Sequence, residues 1–191
     1  MVSASHPPRA PESCYGTPPA SGKVVVNTLQ QVWDVLEAVS DPEIPVVSIR
    51  ELGILRDVRH VKDGVEIIIT PTYSGCPAMG QIEDDIRAAL AQHQLTARIT
   101  TQLAPAWTTD WMSAAAKTKL RNYGIAPPHT TTPGSDKVIR FAPRNQAAEA
   151  VACPQCGSAN TTETSHFGST ACKALYKCLD CLEPFDYFKP Y

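Results

Sequence analysis

Two pairs of cysteines dominate the end of this chain. Cys153-Pro154-Gln155-Cys156 is followed, about 21 residues later, by Cys178-Leu179-Asp180-Cys181. A two-residue gap lets one tight turn aim two sulfurs at one ion, and two such turns close a tetrahedral site with Zn–S bonds of about 2.3 Å. Residues 160 to 176 leave room for a hairpin that brings the turns together. A module this small buries little apolar surface, so metal binding must supply much of its folding energy. The spacing predicts a zinc ribbon with Cys153, Cys156, Cys178 and Cys181 as ligands. Cys172 lies six positions before Cys178; a saturated zinc site has no place for it, so it is either a buried apolar cysteine or an extra ligand, for a second or transient metal. His166 could ligate, but reads better as polar surface.

Seven cysteines is an odd number, and the first residues contain no apolar segment of a secretory signal. Both facts favour metal binding over a disulfide framework. The 191 residues are 43% hydrophobic, enough for a packed core, and a net charge of -2 is near neutral, which argues against a strongly basic nucleic-acid binder. No run of about 18 apolar residues is present, so no membrane helix is expected. The expectation is a cytoplasmic protein that binds neither nucleic acid nor membrane.

Pro, Ser and Ala enrich residues 1–23, which read as a disordered arm holding Cys14 as an exposed thiol. Thr28 to Gln31 fits a capping box, and Leu29, Val32, Trp33, Leu36 and Val39 then recur at helical spacing. Ser40-Asp41-Pro42 should stop that helix, and Pro42 and Pro45 should stiffen a loop. Residues 54–61 and 65–70 read as a hairpin turned at Lys62-Asp63-Gly64, the second strand being covered on both faces. Met79, Ile82, Ile86, Leu90 and His93 mark a second helix face, and 96–103 a third strand. Thr109 and Asp110 can cap a third helix from Trp111 to Tyr123, with Gly124 as its stop. The fold class is therefore α+β: a three-helix, three-strand domain over 24–126, a linker at 127–137 and a Cys-rich zinc-ribbon-like module over 138–191. The aromatic residues Phe185, Tyr187 and Phe188 should pack on the ribbon or dock a protein.

Cys76 is the best candidate for reactivity in the first domain. With Pro77 at the first helical position, it takes the N-cap, where unpaired N–H groups and the helix dipole favour a thiolate. Gly75 should let the backbone approach closely, and Tyr73 and Ser74 bring hydroxyls. Such a thiolate could attack an electrophile or ligate soft iron or zinc. It could equally be an ordinary half-buried cysteine. Hydrolysis would need a base, and neither His60, beside a hairpin turn, nor His93, near the far end of the helix, makes a convincing partner. No catalytic residue is expected. Asp41 and Glu43 place two carboxylates on the proline-stiffened loop, either as helix punctuation or to hold a metal or order the cysteine loop.

Three separated motifs, Asp41-Pro42-Glu43-Ile44-Pro45, Ser48-Ile49-Arg50-Glu51-Leu52-Gly53-Ile54 and Thr70-Pro71-Thr72-Tyr73-Ser74-Gly75-Cys76-Pro77, resemble the iron-sulfur assembly domain of SufT-like factors over about residues 28 to 105. Trp107 to Met112, Tyr123 to Pro128 and Phe167 to Lys189 further resemble the PaaD family, the small D components of bacterial phenylacetyl-CoA epoxidase systems. The resemblance implies an accessory role in aerobic phenylacetate breakdown. It makes Cys76 the functional thiolate, a transient iron or cluster ligand supported by the loop residues Asp41, Glu43, Thr72, Ser74 and Gly75. It also implies Zn²⁺ in the ribbon, a transient iron-sulfur cluster, and epoxidase components as partners. Foremost among these is the reductase, which in this family carries a flavin and a [2Fe-2S] centre. A homo-oligomer is compatible with it. The alternative reading is a non-catalytic structural subunit of the oxygenase.

Overall fold

The computed structural model describes residues 29–62, 64–129 and 150–191. The expected arm with Cys14, the Thr28 cap, Asp63 of the hairpin turn and most of the expected linker lie outside the described residues.

Helix α1, Leu29–Glu37, buries Val32 and Leu36 and stops three residues before the predicted breaker. Strand β1, Ser40–Asp41, already pairs with β2, Ile44–Ser48. The stretch expected as a rigid loop is thus a tight hairpin. The Asp41 carboxylate explains it, because Oδ1 accepts the Glu43 and Ile44 amides at 2.8 and 2.9 Å and folds the chain back.

Strands β3, Leu55–Val61, and β4, Gly64–Ile69, form the expected antiparallel hairpin. Helix α2, Ala78–Gln92, crosses to β5, Ala97–Thr101, which joins β4 in parallel register with Ile67 opposite Ile99. β4 is therefore central, and Ile67 and Ile69 are fully buried while Ile68, on the other face, is 6% exposed. That matches its near-continuous β-branched sequence. α2 buries Ala78, Ile82, Ile86 and Leu90; His93 is exposed and only caps its C-terminus. A 3₁₀ turn, Thr109–Trp111, precedes α3, Ala114–Tyr123, so the third helix starts later than predicted. The reason is a better cap: Ser113 Oγ accepts the Ala116 amide at 3.0 Å. Gly124 ends the helix in the left-handed region at φ 95, as the sequence indicates.

The ribbon consists of β7, Thr161–Ser165, β8, Lys173–Cys178, and β9, Pro184–Phe188, paired antiparallel. A fourth strand comes from the end of the first module. β6, Ile125–Ala126, lies parallel to β9, with Ile125 opposite Asp186. The aromatic end of β9 also departs from expectation, since it packs across the seam as well as on the ribbon. Tyr187 and Phe185 fill the ribbon core, while Phe188 and Cys172 belong to the core of the first module. There the Trp107 indole N–H donates to the Leu52 carbonyl at 3.0 Å and its ring faces Phe188. The Tyr191 hydroxyl donates to the Ala171 carbonyl at 3.1 Å, and the Tyr191 carbonyl accepts the Thr109 amide at 3.2 Å. Among the described residues, no helix is long and apolar enough to cross a membrane.

Candidate metal centre and thiol site

The two knuckles converge. Sγ of Cys153 lies 3.8 Å from Sγ of Cys181, and Sγ of Cys156 lies 3.6 Å from Sγ of Cys178. All four sulfurs fall within 4.8 Å of one another. A regular tetrahedron with Zn–S bonds of about 2.3 Å has edges of about 3.8 Å, so the sulfurs stand where Zn²⁺ requires them. Turn chemistry sets them there: Gly157 takes φ 76 after the first knuckle and Leu182 takes φ 66 after the second. The Gly157 amide donates to the Cys153 carbonyl, and the Cys181 amide points at Cys178 Sγ at 3.5 Å. Asp180 ties the knuckles together by accepting from Ser158 Oγ and from Asn160 Nδ2.

The thiols do not ionise alike. The Cys181 and Asp180 amides pull Cys178 down to about 7. Cys181, although the Glu183 amide lowers it, is pushed up to about 12 by burial and by the surrounding thiols. Four thiolates this close repel one another, and a divalent cation removes that penalty. These cysteines form a zinc site by geometry and by donor chemistry.

Cys172 is not part of that group. It is 8% exposed, lies in the core of the first module, and its sulfur is 3.0 Å from Thr170 Oγ1. This placement keeps Cys172 apart from the ribbon's four sulfurs and among buried apolar neighbours.

Cys76 stands half-buried at the start of α2. The helix begins at Ala78, and Pro77, with φ -69 and ψ -22, takes the N-cap, so Cys76 stands one residue further out than the capping position the sequence suggests. Its sulfur faces the Ala78 amide and the Thr72 hydroxyl. Nevertheless, the thiol is raised above its ordinary value. Burial is the largest cause, the Ala78 and Thr72 hydrogen bonds oppose it, and the Asp41 and Glu43 charges add to it. The expected dipole-stabilised thiolate is thus corrected. A helix N-terminus contributes about 0.3–2 kcal/mol, whereas desolvation can shift a pKa by several units.

Asp41, 6% exposed, and Thr72, 8% exposed, line a small cavity with Cys76, and exposed Glu43 edges it. Burial raises Asp41 above the ordinary carboxylate range against the pull of its two amide donors. Ser74 and Gly75 are exposed and do not line this cavity; Ser74 borders a separate groove with Tyr73, Trp107 and Tyr191. Gly75 has nothing nearer than the Tyr73 ring at 4.0 Å to the place of a Cβ, so no close approach requires glycine there. His60 is exposed and outside the cavity, and His93 stands at the opposite end of α2. Sequence reasoning missed Thr170, and it singled out Cys172 without placing it beside Cys76; both reach the cavity from the C-terminal module. The sequence signals for Cys172 were that it is left over once the zinc site is filled and that it lies within the Phe167 to Lys189 stretch of the resemblance.

An α+β module with a half-buried cysteine just ahead of its second helix is joined to a four-thiolate ribbon, and family matches to both modules define the class, an iron-sulfur assembly domain fused to a zinc-binding module. Residues 29–100 match the family described as iron-sulfur cluster assembly protein, and residues 141–189 the PaaD zinc beta ribbon domain. The chain is 46% identical over 162 residues to the D component assigned to the 1,2-phenylacetyl-CoA epoxidase of Escherichia coli (strain K12), across 84% of this chain and 92% of that one. It belongs to this PaaD family of epoxidase D components. It is also 36% identical over 94 residues to the Fe-S protein maturation auxiliary factor YitW of Bacillus subtilis (strain 168), covering 48% of this chain and 91% of YitW. A solved Bacillus anthracis domain of unknown function, DUF59, aligns at 33% identity and TM-score 0.44, over 48% of this chain and 89% of that one.

Proposed function

We propose that this protein is an accessory factor of a phenylacetyl-CoA epoxidase system and that it matures or maintains the iron-sulfur cluster of the reductase component without itself oxidising substrate. The observation that carries this reading is the placement of Cys76, a half-buried thiol just ahead of α2 that shares a cavity with the carboxylates of Asp41 and Glu43, with no histidine among the described residues that line it. That environment suits cation handling better than nucleophilic attack. Carboxylates that discourage a free thiolate attract an iron ion, which displaces the thiol proton when it binds. A held but not saturated ion can then pass to a stronger site. The similarity to YitW, itself described as a maturation auxiliary factor, points the same way.

The test is cluster content. Reductase from cells carrying Cys76→Ser should contain less [2Fe-2S] than reductase from parent cells, because a serine oxygen is a poor ligand for soft iron species. Full cluster content and normal epoxidation in that strain would remove this reading. A structural-subunit role would then lead, and Leu182 and Leu179 favour it, being 63% and 48% exposed beside the second knuckle where a partner could cover them.

A further inference from the structure

Cys76 and Cys172 come from different modules and line the same cavity. Cys76 arrives on the loop that leads into α2, two residues before Ala78. Cys172 arrives just before β8, fixed by the Lys189 amide donating to its carbonyl at 2.9 Å and by Thr170 Oγ1 at its sulfur. A charge on Cys76 is felt at Cys172, and charges on both are felt at Tyr73. Asp41, Glu43, Thr72 and Thr170 complete the polar wall. The nearby Lys173 ammonium is engaged by Asp186 at 3.5 Å.

We infer that Cys76 and Cys172 form a two-thiolate site for a single thiophilic divalent cation, closed by the docking of the ribbon on the assembly module, with the Asp41 carboxylate in its wall. The cavity is about 20 Å³. A lone water needs about 10–15 Å³, so one atom-sized occupant fits and a cluster of two irons and two sulfides does not while the modules remain docked. Two thiolates choose Fe²⁺ or Zn²⁺ over Mg²⁺ or Ca²⁺. Binding is balanced by release of the two thiol protons, and no electron moves. That the ion in the cell is iron rests on the reading above; the site itself rests on the cavity.

The probe is Co²⁺, added without oxygen to the reduced, zinc-loaded full chain. The expected result is one further cobalt per chain with sulfur-to-cobalt charge-transfer absorption, and zinc undisplaced because Co²⁺ binds such sites less tightly. Cobalt-edge X-ray absorption on this unmutated protein should count two sulfur neighbours, whatever the folding of any variant. Cys76→Ser and Cys172→Ala should each weaken the extra cobalt by at least the roughly 10–100-fold that even an outer-sphere partner costs. No extra cobalt, or cobalt with fewer than two sulfurs, overturns the inference. So does a Cys172→Ala protein, folded and zinc-loaded, that binds cobalt as the parent does. If Cys76→Ser alone loses cobalt, the maturation reading stands without this site. If two sulfurs are found but the Cys76→Ser strain makes fully loaded reductase, the site stands and the maturation reading falls.

Discussion

The Phe188 ring lies 5.9 Å from the Trp107 ring at an interplanar angle of 52°, so a strand of the zinc ribbon supplies a side chain to the core of the assembly module. Phe188 is 1% exposed. Replacing it by Ala removes a fully buried aromatic and leaves a void beside Leu52 and Cys172. Phe188→Ala should therefore lose about 3–5 kcal/mol of stability, measured by urea unfolding followed at tryptophan fluorescence. A loss under about 1 kcal/mol would mean the seam relaxes around the missing ring.

Removing zinc should be felt at Trp107, although that residue is no ligand. The second knuckle begins at the end of β8, β8 carries β9, and β9 carries Phe188. Cys178→Ser should lose the ribbon's zinc, about one ion per chain, and should also alter the near-ultraviolet circular dichroism of the tryptophans. Loss of zinc with an unchanged tryptophan signal would show that the two modules respond independently.

Cys76 should alkylate slowly at neutral pH. Burial and the Asp41 and Glu43 charges hold the folded thiol above its ordinary value. The reactive thiolate is therefore scarcer at pH 7 than in a free cysteine, and the rate should climb only as pH passes above the usual thiol value of about 8.5. Unfolding in urea should restore the ordinary profile. A folded-state midpoint below about 8.5 would contradict the acidic, buried setting.

Two glycines of the recognised motifs should respond oppositely to alanine. Gly53 has φ +75, and a Cβ there would lie 2.7 Å from the Trp111 Cβ. Gly53→Ala adds left-handed strain to a backbone-level clash and should cost more than the 0.4–1 kcal/mol or so at stake in an unstrained exchange. Gly75→Ala meets open space and should melt within a few degrees of the parent. Thermal unfolding of both proteins checks the pair.

The periodicity of Ile82, Ile86 and Leu90, the β-branched run of β4 and the paired C-x2-C spacing were all legible, because each is a local pattern with one physical solution. The docking of the modules was not. Nothing local says that Ile125 and Ala126 leave the first module to pair with β9, nor that Phe188 points to Trp107 while Tyr187 points into the ribbon. That choice is the ordinary alternation of a strand, with one face turned toward each core. The chemistry of Cys76 was misjudged for a related reason. The helix position is visible in Gly75-Cys76-Pro77, whereas the burial and the facing carboxylates that outweigh it come from residues distant in sequence.

The parallel pairing of β6 with β9 also fixes an order of events during synthesis. A ribosome delivers Cys76, Trp107 and β6 well before β9 exists, so the growing assembly module waits with an open flank and an incomplete core. Only when the later strand emerges and its knuckles find zinc can that flank shut. The strand that follows the second zinc knuckle is thus also the strand that completes the earlier half of the molecule. A chain cut short before β9 would hold every residue of the first module's own elements, yet its core would lack Phe188 and the docking of Cys172.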